Sequence, residues 1–134
     1  MNLRDLFAPL TALVPLALLA AALPAQAAPD DTAMRALAAR SGCMACHHVE
    51  PGAKGPNGLP PVGPAWHSVA DKYRGQAAAE ATLTATVMKG SNPYDSHWKG
   101  QASGLAMPPN QVAITEADAR HLVRWILALP AAAR

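Results

Sequence analysis

The sequence predicts an all-α domain in which about four short helices and long loops surround one large bound group. Apolar residues recur at helical spacing in four segments, and no segment shows the sustained alternation typical of a strand. Two irregular stretches, residues 48–64 and 91–114, lie between these segments. Loops longer than about 12–15 residues are uncommon unless something organises them. A buried cofactor would do so, because it supplies apolar surface that a thin core lacks.

Length, charge and cysteine content narrow the class of protein. The chain has 134 residues, which corresponds to one domain. Lys and Arg total 11 against 9 Asp and Glu, and the resulting net charge of +2 disfavours nucleic-acid binding. The two cysteines are too close in sequence to form a disulfide framework. A multidomain enzyme, a nucleic-acid binder and a disulfide-stapled mini-protein are therefore disfavoured.

The N-terminal segment has the organisation of a secretory signal peptide. Arg4 precedes an uncharged run over residues 7–23, and small residues of the A-x-A type follow at positions 25–27. We expect cleavage after residue 27, so that residues 28–134 form the exported domain, in a bacterium in the periplasm. An uncleaved membrane anchor is the alternative. It is disfavoured because the apolar run contains two prolines and is shorter than the roughly 20 residues that span a bilayer.

The first two helices are predicted from their apolar spacing and from the glycines that follow them. Two aspartates precede a helical pattern, which predicts a helix over roughly residues 32–41 that ends before Gly42. The second helix is predicted to have Pro64 at its first position and to end at Gly75. Its apolar positions are Trp66, Val69, Ala70 and Tyr73.

Two further helices are predicted in the second half of the chain. The third covers about residues 77–89 and ends at Gly90. The last begins with a capping box in which Thr115 caps the helix and Asp118 reaches back. The apolar positions of these two helices are Leu83, Val87, Met88, Leu122, Trp125, Ile126 and Leu129.

The segment Cys43-Met44-Ala45-Cys46-His47 has the C-x-x-C-H spacing typical of covalent attachment of a c-type haem. Residues i and i+3 share one face of a helical turn, about 5–6 Å apart at their side-chain bases. Two thiols so placed can reach two porphyrin vinyl groups and add to each to form a thioether. His47 is then held beneath the ring with a nitrogen towards the iron, and histidine is the usual proximal ligand.

Other readings of the two cysteines are weaker. A redox-active C-x-x-C is typically found near a βαβ pattern, and the sequence shows none. A zinc site needs two further ligands, which His48, His67 or His97 could supply. Zinc, however, explains neither the adjacent His47 nor the thin core. Two inert buried thiols are the remaining alternative.

A second axial ligand decides what a haem iron can do, and two residues are the main candidates. Met107 lies in an irregular stretch directly before Pro108 and Pro109, which restrict the backbone and can hold a thioether in place without a helix. His97 is the alternative and would give a bis-histidine iron. The remaining methionines and histidines considered are weaker candidates: Met34 and Met88 at helical apolar positions, His48, His67 and His121.

Three motifs in this order resemble the small class I bacterial cytochromes c of the c-551/c-552 type. They are Cys43 to His47, Val62-Gly63-Pro64-Ala65, and Met107-Pro108-Pro109-Asn110 before the final helix. The resemblance covers nearly all of residues 28–134. It implies the small cytochrome c fold, with one haem c that is thioether-linked to Cys43 and Cys46.

The resemblance also implies roles for individual residues. The counterpart of Met107 in that family is the axial ligand opposite the histidine, here His47. An amide side chain like that of Asn110 hydrogen-bonds the ligand sulfur. The carbonyl at the position of Pro64 accepts a hydrogen bond from the proximal imidazole and orients it. The family's tryptophan in the last helix, here Trp125, packs in the core.

The sequence departs from the family pattern at two places. Residues 48–61 form a longer segment than usual, and residues 99–106 resemble an insertion. The family's propionate-binding tryptophan lies a few residues before the ligand methionine, whereas Trp98 is nine residues before Met107. A contact between Trp98 and a haem propionate is therefore left open. The insertion could cover the haem edge, alter the choice of partner, or form a solvated loop.

These features predict a soluble electron-transfer protein and not an enzyme, since two protein ligands leave no open position on the iron for a substrate. The resemblance implies redox proteins as donor and acceptor, such as a terminal oxidase, a peroxidase or a denitrification enzyme. No feature of the sequence requires an assembly larger than a monomer. None requires stable insertion in a membrane once the signal peptide has been cleaved. The alternative is a haem-based sensor or enzyme with a displaced Met107. It is disfavoured because ligand-binding helical-bundle cytochromes carry the attachment motif near the chain's end.

Overall fold

The computed structural model describes residues 30–131, and within this range the chain is built from helices and loops. The four α-helices are α1 (Asp31–Arg40), α2 (Trp66–Tyr73), α3 (Ala79–Lys89) and α4 (Glu116–Ala128). The described part contains no strand beyond an isolated bridge between Lys99 and Ala102. The prediction of four short helices is confirmed. The predicted signal peptide over residues 1–27 lies outside the described residues and stays a prediction.

Helix α1 lies within one residue of the predicted bounds at each end, and α4 begins after the predicted cap residue. The Asp30 carboxylate accepts a hydrogen bond from the Thr32 N–H at 3.1 Å, and Gly42 adopts a left-handed φ of 76° after the helix. At α4 the Thr115 hydroxyl accepts from the Asp118 N–H at 3.1 Å and donates to the Asp118 carboxylate at 3.0 Å. Asp118 therefore reaches back to the capping hydroxyl itself.

Helix α2 begins at Trp66, so the prediction that Pro64 occupies its first position is wrong. Ala65 is the N-cap residue and has extended backbone angles. The N–H groups of Trp66 and His67 donate to the carbonyls of His48 and Val49, at 2.9 and 3.1 Å. The orphan donors of the first turn are thus satisfied by the loop that follows the cysteine motif, and this docking sets where the helix starts.

Helix α3 begins two residues later than predicted, at Ala79. Residues 76–78 form a turn instead, in which the Ala79 N–H donates to the Gln76 carbonyl at 3.1 Å. The helix ends at Gly90, whose φ of 82° places it in the left-handed half of the map. The predicted stop is therefore confirmed, and the start shifts because the preceding residues close a separate turn.

Helix α4 lies at the centre of the core and packs against α1, α2 and α3. Trp125 of α4 meets Trp66 of α2 edge to face, with ring centroids 5.4 Å apart. The indole N–H of Trp125 donates to the Asp31 carboxylate at 3.2 Å and so joins α4 to α1. The expectation that Trp125 packs in the core is confirmed. Other buried members of this core are Leu37, Ala38, Val69, Ala70, Ala119, Leu122, Ile126 and Leu129.

A buried histidine ties the long first loop to the end of the last helix. His67 is 7% exposed, and its Nδ1 donates to the Pro130 carbonyl at 2.7 Å. Its Nε2 lies 3.2 Å from a carboxylate oxygen of Glu50. These contacts connect α2, the loop before it and the end of α4, and they occupy both nitrogens of the ring.

Replacing Leu37 tests the core. Leu37→Ala removes a side chain that is only 3% exposed, and we expect the free energy of unfolding to fall by about 2–5 kcal/mol. Leu59→Ala makes the same chemical change at a position that is 55% exposed, and the expected loss is within about 0.5 kcal/mol. Guanidinium unfolding of the haem-loaded proteins measures both. Equal losses in the two variants would contradict the assignment of Leu37 to the core.

Candidate functional site

The cysteine motif forms a tight turn directly after α1. The left-handed Gly42 redirects the chain into a 3-10 turn over Cys43–Ala45. The N–H groups of Cys46 and His47 both donate to the Cys43 carbonyl, at 3.3 and 3.0 Å. Neither cysteine is in a disulfide, and both line one cleft. The end of α1 and Gly42 therefore set the direction in which the motif leaves the helix. Burial raises the pKa of the Cys43 thiol, which keeps this thiol protonated.

The His47 ring is held by a hydrogen bond and by stacking. Its Nδ1 lies 2.8 Å from the Pro64 carbonyl, and its ring stacks on Trp66 with centroids 5.8 Å apart. Because a carbonyl can only accept, Nδ1 carries the proton and the Nε2 lone pair remains available in the neutral ring. Burial lowers the pKa of His47, and the Pro64 carbonyl partly opposes this shift. The neutral imidazole is the form that binds a metal.

The absence of a side chain at Gly63 leaves space for the His47 ring. The Gly63 N–H donates to the Cys46 carbonyl at 2.8 Å, which draws this backbone against the motif. A Cβ at Gly63 would lie 2.7 Å from the Cε1 atom of His47 and 2.9 Å from its Nδ1. No side chain fits there. In the sequence, Gly63 is simply one member of the Val62-Gly63-Pro64-Ala65 motif, and the contact that requires glycine exists only in the folded structure.

Met107 lines the same cleft as the two thiols and His47. Its N–H donates to the Ser91 hydroxyl at 2.9 Å, and its carbonyl accepts from the Ser91 N–H, also at 2.9 Å. A Cβ at Gly90 would lie 2.8 Å from the Met107 carbonyl oxygen, so glycine allows the two segments to approach. Ser91 is a second site residue that no sequence pattern indicates, because its partner is 16 positions away.

The cleft is apolar and has a volume of about 230 Å³. A water molecule takes up about 30 Å³, so this space suits an organic group rather than a single trapped water. Six of its apolar wall residues come from the loop before α2 and from all the later helices: Val62, Val69, Leu83, Val87, Leu122 and Ile126.

Asn110 belongs to the segment that carries Met107. Its side-chain amide donates to the Pro108 carbonyl at 2.7 Å, and its N–H donates to the Val87 carbonyl at 3.0 Å. The amide nitrogen has a second hydrogen beyond the one used here. The bond to the Met107 sulfur that the family resemblance implies therefore stays a prediction.

His97, the alternative ligand, also lines the cleft, but it has a partner there. The Tyr73 hydroxyl lies 3.1 Å from His97 Nε2. Burial raises the pKa of Tyr73, so its hydroxyl keeps a proton that it can donate. Burial also lowers the pKa of His97, with a further contribution from the Lys72 charge. Binding of iron through His97 Nε2 would require this hydrogen bond to break.

The insertion over residues 99–106 forms part of the cleft wall. The N–H groups of Ser103 and Gly104 donate to the carbonyls of Pro61 and Val62, each at 2.9 Å. Leu105 lines the cleft although it is 82% exposed. Of the three roles considered for this segment, cover for an edge of the cleft agrees with these contacts. Trp98 also lines the cleft, and the Lys72 ammonium lies 5.7 Å from its ring centroid.

The zinc and thiol-redox alternatives have no support in the described part of the chain. Residues 30–131 contain no group of three or more His, Cys, Asp or Glu that could hold a metal ion. Both ring nitrogens of His67 are engaged, with Pro130 and Glu50. The βαβ surroundings of a redox C-x-x-C are also missing from this range.

The fold and the cleft define a small helical protein built to hold a c-type haem. The Cytochrome c family model matches residues 33–130, and the chain belongs to this family. It is 42% identical over 102 residues to cytochrome c-551 of Allochromatium vinosum, covering 76% of this chain and 92% of that protein. It is 43% identical over 95 residues to cytochrome c2 of Rhodocyclus tenuis, covering 70% and 89%.

A solved structure agrees with these relatives. The crystal structure of cytochrome c552 from Nitrosomonas europaea matches with a TM-score of 0.54 and 36% sequence identity, covering 70% of this chain and 96% of that one. The predicted c-551/c-552 type and the small cytochrome c fold are confirmed. The relatives are electron carriers. No helix within residues 30–131 is long and apolar enough to cross a membrane.

The residues of the cleft fit the family's cofactor. This cofactor is one iron-containing haem c that is attached to the protein through Cys43 and Cys46. Two unpaired thiols lie on one turn, as two thioether bonds require. The glycine at position 63 leaves space for an imidazole whose free nitrogen can serve a metal. The wall is mainly apolar, which suits a porphyrin ring.

Removing the thiols tests the attachment. Cys43→Ala and Cys46→Ala each leave one thioether, and we expect each variant to keep its haem bound through acidified-acetone extraction. The double variant has no covalent link and should release nearly all of its haem into the organic layer. Met44→Ala, between the two cysteines, is the control and should retain its haem. Retention by the double variant would contradict covalent attachment through these cysteines.

Proposed function

We propose that this protein is a monomeric, periplasmic carrier of single electrons whose haem iron is ligated by His47 and Met107. The observation that carries the proposal is that His47 and Met107 line the same cleft as the two thiols. His47 has Nδ1 committed to the Pro64 carbonyl, so its Nε2 is the nitrogen left for a metal.

A bound haem supplies a reversible one-electron change between ferric and ferrous iron. The chain's residues set the conditions for that change. His47 offers a neutral nitrogen in an orientation fixed by Pro64, and such a hydrogen bond also makes the nitrogen a stronger donor. Met107 offers a neutral thioether, which favours ferrous iron and raises the reduction potential. Asn110 would tune this sulfur through its second amide hydrogen.

Ligation of the haem iron by two residues of the protein would also argue against an enzymatic activity. If His47 and Met107 both held the iron, no coordination position would be left for a substrate. The apolar side chains of the cleft would keep the surroundings of a bound haem dry, which would limit the rearrangement that accompanies electron transfer. The protein then exchanges electrons with other proteins and is not an enzyme.

The charge distribution favours partners with acidic surfaces. Arg35, Arg74, Arg120 and Arg124 pair with carboxylates. The four lysines, by contrast, are exposed and form no ion pair within residues 30–131; they are Lys54, Lys72, Lys89 and Lys99. Unpaired cations can steer the approach of an acidic donor or acceptor. A terminal oxidase, a peroxidase or a denitrification enzyme would each serve as such a partner.

Replacing Met107 tests the ligand assignment. We expect Met107→Ala to abolish the weak far-red band of methionine-ligated ferric haem and to lower the reduction potential. The opened iron should bind cyanide at least about tenfold more tightly, which corresponds to about 1.4 kcal/mol of binding free energy. Spectroscopic titration and potentiometry measure these changes.

The matched control for this change is Met34→Ala, which removes a methionine packed against the core rather than one in the cleft. It should leave all three readouts unchanged. If His97→Ala opened the iron and Met107→Ala did not, the ligand would be His97. High-spin iron in the unaltered protein would favour a sensor or an enzyme instead.

The location can be tested by expressing the full chain in a bacterium that attaches c-type haem. We expect the coloured protein in the periplasmic fraction, with a mature N-terminus at Ala28 determined by mass spectrometry. This result follows from the A-x-A sequence before that position. A haem protein that kept Met1 and sedimented with the membranes would show that the segment is an uncleaved anchor.

A further inference from the structure

We infer that Ser91 is the positioning residue that holds Met107 at the haem cleft, an inference that rests on the ligation proposed above. Ser91 binds both polar backbone groups of Met107. Its hydroxyl accepts from the Met107 N–H, and its own N–H donates to the Met107 carbonyl, each at 2.9 Å. Two bonds between the same two residues fix both the distance and the orientation of the Met107 backbone.

The segment around Met107 has few other ties. Pro108 and Pro109 have no N–H to donate. Within residues 105–109, Met107 supplies the only backbone N–H that has a hydrogen-bond partner among the described residues. The position of a loop with so few backbone hydrogen bonds depends strongly on each of them. Loss of the Ser91 contact would therefore have a large effect on where Met107 lies.

Ser91 is itself attached to a rigid element. It follows Gly90, whose N–H donates to the Thr86 carbonyl at 2.8 Å and ends α3. The Asn110 N–H donates to the Val87 carbonyl on the same helix, at 3.0 Å. The Met107 segment is therefore anchored on both sides of the two prolines: before them to Ser91, just after the end of α3, and after them to Val87 in its last turn.

Gly90 makes this anchoring possible. Its φ of 82° is a conformation that favours glycine, and a Cβ would approach the Met107 carbonyl oxygen to 2.8 Å. Any side chain at this position would push the segment away from Ser91 and lengthen both bonds. Gly90 and Ser91 thus act together, the first by leaving space and the second by binding.

The consequence concerns how firmly the iron keeps its sixth ligand. Without the hydroxyl, the Met107 N–H turns to water, which satisfies the donor but does not fix its position. The thioether then leaves the iron more readily, and an added ligand competes better. A closed electron carrier needs this ligand retained in both oxidation states, and Ser91 supplies that retention.

The test compares two isosteric variants of the haem-loaded protein, Ser91→Thr and Ser91→Val. Threonine keeps the hydroxyl, whereas valine replaces it with a methyl group and leaves the backbone bond from residue 91 in place. We expect Ser91→Val to bind cyanide in the ferric state about fivefold more tightly, the factor that one hydrogen bond of ordinary strength supplies. Its far-red band should also weaken. Ser91→Thr should behave as the unaltered protein.

Two controls separate positioning from general loosening of the loop. Ser103→Ala removes another loop hydroxyl, one that donates to the Pro61 carbonyl at 3.4 Å and does not touch Met107. It should leave cyanide binding unchanged. Ser91→Ala provides a smaller residue in case valine does not fit, and the expected change is the same as for valine.

Four results would overturn the inference. Cyanide binding unchanged in both Ser91→Val and Ser91→Ala, while Met107→Ala opens the iron, would refute the role of Ser91 and leave the proposed ligation intact. Equal effects of Ser103→Ala and Ser91→Val would assign the change to loop loosening. Failure of Ser91→Thr to preserve normal binding would show that the hydroxyl is not the cause. No response in Met107→Ala would refute the ligation itself, and the inference with it.

Discussion

The hydrogen bond between the His47 ring and the Pro64 carbonyl is the contact on which the rest of this structure depends. At 2.8 Å it joins the cysteine motif to the start of α2, and it assigns the proton of the imidazole to Nδ1. It forms only because Gly63 has no side chain, since a Cβ there would overlap the ring. The docking that makes it possible also gives the first turn of α2 its hydrogen-bond acceptors, the carbonyls of His48 and Val49. The orientation of the His47 ring and the start of α2 are thus consequences of one arrangement.

The long loops are organised by a few backbone bonds to helices and to one another. The first loop is joined to the end of α4 through buried His67, and the insertion is joined to the first loop at Pro61 and Val62. The Met107 segment is joined to α3 at Val87 and Ser91. These ties leave an apolar cleft between the loops and the helices, and the family's haem c, bound there, would supply the surface that completes the core. The cofactor would then be part of the fold as well as part of the chemistry.

The arginines and the lysines of the described residues differ in how they are paired. Arg35, Arg74, Arg120 and Arg124 are paired with carboxylates, three of them with a carboxylate three or four residues earlier in the chain, and such exposed pairs contribute little to stability. Each pair does, however, offset the charge of one carboxylate. Lysines in the loops and at helix ends remain unpaired within residues 30–131, and Lys72 lies over Trp98 at the wall of the cleft. This unpaired positive charge is what the proposed encounter with acidic partners would use.

The sequence by itself determined the elements whose signals are local. Helix caps at Asp30 and Thr115, glycine stops at positions 42 and 90, and the C-x-x-C-H turn depend on residues a few positions apart, so pattern and propensity were sufficient. The tertiary structure decided what depends on distant partners. Pro64 looked like a helix start because proline suits that position. The contact between its carbonyl and His47, 17 residues away, was implied by the family resemblance but by no local pattern. Ser91 and Gly63 carried no signal of their own, since the contacts that require a hydroxyl or a missing side chain exist only once the loops have packed.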